Sequence, residues 1–95
     1  FDLYIINKMF KVYMLMSLDQ HNHSYVGYTD NLKKRLALHN NNKGAKYTRG
    51  RKWIVIYYKC YKSKSIALKE EIKLKKNYKL RKKLKTKFKK SNLDI

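Results

Sequence analysis

The sequence predicts a small α/β domain: a three-stranded antiparallel or mixed sheet flanked by helices, in the order β-β-α-β-α-α. Three observations carry this. Two strand-like segments near the start are separated by a short polar turn. A continuous apolar run rich in β-branched residues lies at 53–58. Three other stretches carry helix starts, helix stops or one-faced apolar spacing.

The first strand is placed at 11–18, on Val12 and Tyr13 as good strand formers. Asp19-Gln20-His21-Asn22 reads as a turn. The second strand is 23–28, and the short separation implies an antiparallel hairpin with a longer loop. Thr29-Asp30-Asn31 is rich in N-cap types, with Asp30 the expected cap. Leu32, Leu36 and His39 then share one face of a helix ending near Asn40. Gly44 is expected to stop it in a left-handed conformation. Residues 45–52 read as a polar, basic loop. The run at 53–58 fits a strand covered on both faces, with Trp53 and Tyr57 in the core. Ser63 and Ser65 are candidate caps for a helix over about 65–76, where Ala67, Glu71 and Leu74 share a face. A very basic helix follows over about 78–90. Cys60 is expected to be an inert, packed thiol.

Ninety-five residues make one domain with one modest core. Residues 1–8 are set apart as an N-terminal extension, native or not, because the chain begins at Phe1 and Met9 is the expected natural start. Residues 9–95 are expected to form the single domain, its basic C-terminal helix starting near 78. The apolar stretch Leu3-Tyr4-Ile5-Ile6 is too short to span a membrane and lacks a signal-peptide cleavage pattern. The single cysteine excludes an intrachain disulfide and a Cys-based zinc site, and a reducing compartment follows as the simplest reading. Net charge is +19, and residues 73–90 alone hold eleven Lys or Arg. So basic a chain repels itself when compact, which points to an anionic partner. Nucleic acid comes first, because phosphate neutralisation supplies most non-specific binding. An acidic membrane comes second, but Leu80, Leu84 and Phe88 give only a narrow apolar stripe.

Four features could together do chemistry. Tyr13 lies in the first strand. Tyr25-Val26-Gly27 lies in its partner. Arg35 and His39, four apart, are neighbours on one helix face. Glu71 sits on the apolar face of the next helix, and a half-buried carboxylate in so basic a chain needs a partner. A hard divalent cation suits an oxygen ligand, and one carboxylate argues against two-metal chemistry. Each residue also has a plainer reading. Tyr13 can be packing, Gly27 a bulge, Arg35 and His39 a solvated helix edge, and Glu71 the ion-pair partner of Lys75.

Taken in order, Val12-Tyr13-Met14-Leu15, Tyr25-Val26-Gly27-Tyr28-Thr29, Asn31 to Leu36, His39-Asn40, Gly44 to Arg49 and Ala67 to Glu71 with Leu74-Lys75-Lys76 resemble the GIY-YIG endonuclease superfamily. The match covers roughly residues 11–77 and is similar to the small stand-alone branch and to the nuclease half of Slx1-type structure-specific enzymes. The resemblance implies a metal-dependent endonuclease that hydrolyses DNA phosphodiesters with one Mg²⁺ or Mn²⁺. It implies Tyr13 as general base, Tyr25 as orienting residue and Arg35 as stabiliser of charge on the phosphate. It further implies His39 as aid to proton transfer, Glu71 as metal ligand and Gly27 as the point of close backbone approach. Two departures stand out. The first motif reads Lys11-Val12-Tyr13 and lacks its glycine. A single cysteine cannot build the Cys/His-rich zinc module of the Slx1-type enzymes, so their substrates cannot be carried over.

DNA is therefore the expected partner, with no membrane and no small-molecule cofactor, and the expected state is an intracellular monomer, in cytoplasm or nucleus. Lys46, Tyr47, Arg49, Arg51, Lys75 and Lys76 are candidate nucleic-acid contacts. Branched, flap or junction DNA in repair or recombination is the expected substrate class. A non-catalytic nucleic-acid-binding protein on the same scaffold is the alternative.

Overall fold

The computed structural model describes residues 9–92. The expected extension over residues 1–8 lies outside them. Strand β1 (Phe10–Ser17) runs up the middle of the sheet, between β2 (Ser24–Thr29) and β3 (Trp53–Tyr61), in the order β2-β1-β3. Both pairings are antiparallel. Helix α1 (Leu32–Asn40) connects β2 to a single 3₁₀ turn, Lys46–Thr48, ahead of β3; α2 (Lys64–Lys76) and α3 (Tyr78–Ser91) follow. The β-β-α-β-α-α order expected from the sequence is the order observed, and the sheet is wholly antiparallel.

The central strand explains the layout. Val12 through Met16 are all buried, since a middle strand is covered on both faces. Val12 and Met14 point to one face and pack with Val26 and with Ala67 and Leu74 of α2. Tyr13 and Leu15 point to the other and pack with Trp53, Tyr25 and with Leu32 and Leu36 of α1. Period-2 alternation thus divides the core into two halves, one under each helix. Fully burying a side chain such as Leu15 is worth about 1.5–3 kcal/mol.

The strand expected to be covered on both faces, 53–58, is covered in part: Trp53 and Val55 pack into one half of the core and Ile56 and Tyr57 into the other, while Tyr58 is exposed. β3 is an edge strand: Trp53 is buried, but Tyr58, Lys59 and Cys60 are exposed. A continuous apolar run cannot report its place in the sheet. Cys60 is accordingly an exposed thiol, not a packed one. β3 runs on to Tyr61 because Lys59, Cys60 and Tyr61 still find partners in Val12, Lys11 and Phe10. The register slips between Met14 and Leu15, whose partners are Tyr57 and Val55, so Ile56 is the bulged residue.

The helix ends also shift. Asn31, not Asp30, caps α1, its side chain accepting from the Lys34 amide at 3.1 Å. The left-handed residue after α1 is Asn42, at φ 62°, and Gly44 is not left-handed. Ser63 caps α2 and Asn77 caps α3. Asn77 also ends α2, so one residue joins the two helices. Among the described residues, no helix is long and apolar enough to cross a membrane.

Candidate active site

Tyr13 is 1% exposed and stands opposite Gly27 of β2. Its ring lies across that strand. A Cβ at Gly27 would fall 2.6 Å from the Tyr13 hydroxyl oxygen and 2.8 Å from Cζ. Only glycine leaves room for the ring. Tyr25, two residues earlier on β2, shares this face, with its ring centroid 6.4 Å from that of Tyr13. α1 then brings Arg35 and His39 onto the same face, one helical turn apart. His39 is fully buried, 4.9 Å in centroid distance from Tyr25.

The hydrogen bonds around His39 fix its protonation. The Thr48 hydroxyl lies 2.9 Å from the Ala45 carbonyl oxygen, which can only accept. Its single proton is thereby committed. Thr48 Oγ1 must then accept from His39 Nδ1, 2.8 Å away. The neutral ring has no proton left for Nε2, which accepts from the Tyr13 hydroxyl at 3.0 Å. The donors run Tyr13, His39, Thr48, and the chain ends on the Ala45 carbonyl as acceptor. Gly44 makes it possible from behind, because a Cβ there would overlap the His39 ring.

The electrostatics agree with a neutral pair. Burial lowers the His39 pKa to about 4, and the Arg35 charge adds to the effect. Burial pushes Tyr13 up to about 12, against the pull of the Arg35 guanidinium within hydrogen-bonding reach. The Tyr25 hydroxyl and the Glu71 carboxylate also disfavour the Tyr13 anion. Burial works against the Arg35 charge, but attraction to the hydroxyls of Tyr13 and Tyr25 prevails and its pKa rises. Two phenols, an imidazole and a guanidinium thus share one corner of the sheet.

Glu71 lies on α2, near enough for its charge to act on the Tyr13 hydroxyl. Its side chain is 13% exposed, and its one ion pair among the described residues, with Lys75, is long at 3.7 Å. No group of three or more His, Cys, Asp or Glu that could hold a metal exists among the described residues. A protein cage is therefore excluded there. A single carboxylate fits Mg²⁺ or Mn²⁺ held jointly with water and substrate phosphate, as such ions prefer.

Residues 9–85 match the GIY-YIG catalytic domain. The chain belongs to the GIY-YIG family. GIY-YIG domains are nuclease domains, which act on nucleic acid and generally use divalent metal ions. Similar curated proteins carry the name UPF0213. One from Oceanobacillus iheyensis is 48% identical over 64 residues, covering 66% of this chain and 72% of the relative. Another, from Bacillus pumilus, is 50% identical over 48 residues, covering 50% and 49%. A third, from Lactiplantibacillus plantarum, is 48% identical over 67 residues, covering 67% and 64%. The chain thus spans between half and three quarters of these relatives' lengths. The solution NMR structure of a UPF0213 protein from Bacillus halodurans is 30% identical, with a TM-score of 0.48 over 85% of each chain.

Within this GIY-YIG domain, Tyr13, Tyr25, Arg35, His39 and Gly27 lie together as described. Of the expected nucleic-acid contacts, Tyr47 and Lys75 line one groove beside Tyr25, and the others lie apart from it. Tyr47 is 52% exposed and stacks on Tyr25 at 6.3 Å. Lys46, Arg49 and Lys76 are exposed. Arg51 is tied to Asp19 at 3.0 Å, clamping the β1–β2 turn to the start of β3. Lys75 faces Glu71. Sequence reasoning missed Thr48 and the packing role of Gly44. Both sit in a segment that reads as a polar loop, and burial there comes from tertiary packing. A threonine one turn beyond a small-residue pair, Gly44-Ala45, was the one available signal.

Proposed function

We propose that this protein is a metal-dependent endonuclease that hydrolyses phosphodiester bonds in DNA. The observation that carries the proposal is the Tyr13 hydroxyl, held by a tautomer-locked His39 beside the Arg35 guanidinium. In this reading an attacking water gives its proton to the Tyr13 oxygen as the Tyr13 proton passes to His39 Nε2. A phenol that stays protonated at neutral pH is a poor base alone, and the relay gives it an exit for its own proton. Bound phosphate offsets the Arg35 charge. One cause of the low His39 pKa is then relieved, and the imidazole becomes a better acceptor. Arg35 also stabilises charge growing on the scissile phosphate, and Tyr25 orients the phosphate or the water. Glu71 would hold the divalent ion, which supplies charge stabilisation at the phosphate and the leaving oxygen.

A cleavage panel tests this on linear duplex, single-stranded, flap and junction DNA. Cutting is expected with Mg²⁺ or Mn²⁺ and not with EDTA. Glu71→Ala is expected to abolish cutting while DNA affinity is kept. Metal-independent cutting, or full activity in that variant, sinks the mechanism. The substrate that is cut fastest decides whether the enzyme is structure-specific, as branched-DNA processing in repair or recombination requires. Salt-sensitive binding with no cutting of any substrate would favour a binding protein on this scaffold.

A further inference from the structure

A groove of about 180 Å³ opens beside Tyr25, lined by Ser24, Tyr25, Val26, Tyr47, Lys75 and Arg81. None of these side chains is acidic. Two cations and two phenol rings face one cleft whose wall is shared with the candidate active site. Lys75 adjoins Glu71 on one side and this groove on the other.

Arg81 is the unusual member. It is the single arginine in α3, where every other basic residue is lysine. Its Nε donates to the Leu74 carbonyl at 3.2 Å, near the end of α2. Its guanidinium carbon lies 5.8 Å from the centre of the Tyr78 ring. The side chain is thus held by its inner nitrogen, leaving the two terminal nitrogens as a fork. Lysine cannot reproduce this arrangement, because its ammonium is a point charge that cannot hold the carbonyl with one nitrogen while presenting two others as a planar fork. The outer face of α3 differs: Lys83 and its neighbours there are exposed and presented to solvent.

We infer that this groove binds the phosphate next to the scissile one, with Arg81 as the fork that receives it and Lys75 as the second cation. The inference rests on the nuclease reading and adds to it a strand path along β2, past Tyr25. In this arrangement Arg81 sets the register of the DNA, while the outer lysines of α3 supply unspecific charge.

The test compares Arg81→Lys, which keeps the charge, with Lys83→Ala, which removes one. Single-turnover cleavage should fall about tenfold or more in Arg81→Lys, as expected for losing a charged hydrogen-bonded fork. It should fall no more than about threefold in Lys83→Ala, a solvent-screened surface charge. The reverse order, or an Arg81→Lys variant equal to wild type, overturns the inference. A substrate with a neutral methylphosphonate beside the cut separates binding from a structural effect of the substitution. It should slow the wild type by a similar factor and slow Arg81→Lys little further. Fully additive penalties would show that Arg81 does not touch that phosphate. Fluorescence anisotropy with the same labelled oligonucleotide in EDTA gives the affinity order independently. If the wild type cuts nothing, the nuclease reading fails, and that affinity order alone decides for or against Arg81.

Discussion

Thr48→Val removes one hydroxyl from the structure at almost constant volume. Thr48 is fully buried, so water cannot take the hydroxyl's place. The His39 Nδ1 proton loses its acceptor at 2.8 Å, while the Ala45 carbonyl loses the hydroxyl at 2.9 Å but keeps the Thr48 backbone amide at 3.1 Å. One unsatisfied buried donor costs about 1–3 kcal/mol, and a loss of that size is expected in urea unfolding. The functional effect is separate. With nothing to hold the proton on Nδ1, the other tautomer competes, placing it on Nε2 against the Tyr13 oxygen. His39 then donates where the relay needs it to accept. Positioned acid–base groups contribute about 10²–10⁴-fold, and the single-turnover rate should fall by about 10- to 100-fold with DNA affinity unchanged. Thr48→Ser keeps the hydroxyl and should restore most of the rate. The tautomer can be read directly from ¹⁵N chemical shifts of the His39 ring, with no metal or DNA present. A wild-type His39 protonated on Nε2, or a Thr48→Val enzyme of normal rate, would refute the reasoning.

Gly27→Ala should disrupt the site from the opposite side. The new methyl would sit 2.6 Å from the Tyr13 hydroxyl oxygen, so the ring must move. A destabilisation of about 1–3 kcal/mol is expected in thermal melts, together with loss of cleavage. An unchanged melting temperature would show that the ring is not confined. Acid should weaken the fold through His39. Its pKa falls from 6.5 to about 4 on folding, so the unfolded chain takes up the proton first. The contribution is complete above pH 6.5 and is lost as pH falls toward 4, by roughly 3 kcal/mol at most. Urea unfolding of wild type and His39→Gln between pH 4 and 7.5 isolates it, since other titrating groups cancel in the difference. A pH-independent difference would contradict the buried, neutral imidazole.

Much of the fold was legible in the sequence because its elements are local. The hairpin announces itself through Val12, Tyr13 and a polar turn, and the helices through caps such as Ser63. What local pattern could not supply was sheet order. Strands β1 and β3 look equally apolar along the chain, yet one is central and the other an edge. That difference reversed the expected burial of Cys60. Tyr25, Arg35 and His39 were legible as a group because they fall on short, regular elements next to one another. Thr48 was not, because its role depends on a 3₁₀ turn folding back beneath α1. Arg81 hid within a lysine-rich helix whose pattern reads as a solvated face.

The fit of the Tyr13 ring across Gly27 has a consequence for how such a domain can change over generations. The two positions behave as one inherited unit. A side chain gained at 27 while tyrosine remains at 13 meets a steric block. A small residue gained at 13 while glycine remains at 27 leaves a hole beneath α1. Either single step passes through a less fit protein, so drift at one site is barred until the other has moved. Lys11 is placed differently: it is half-exposed near the start of β1, opposite Thr29 and Cys60. The glycine of the second motif is thus held in place by the very side chain it serves.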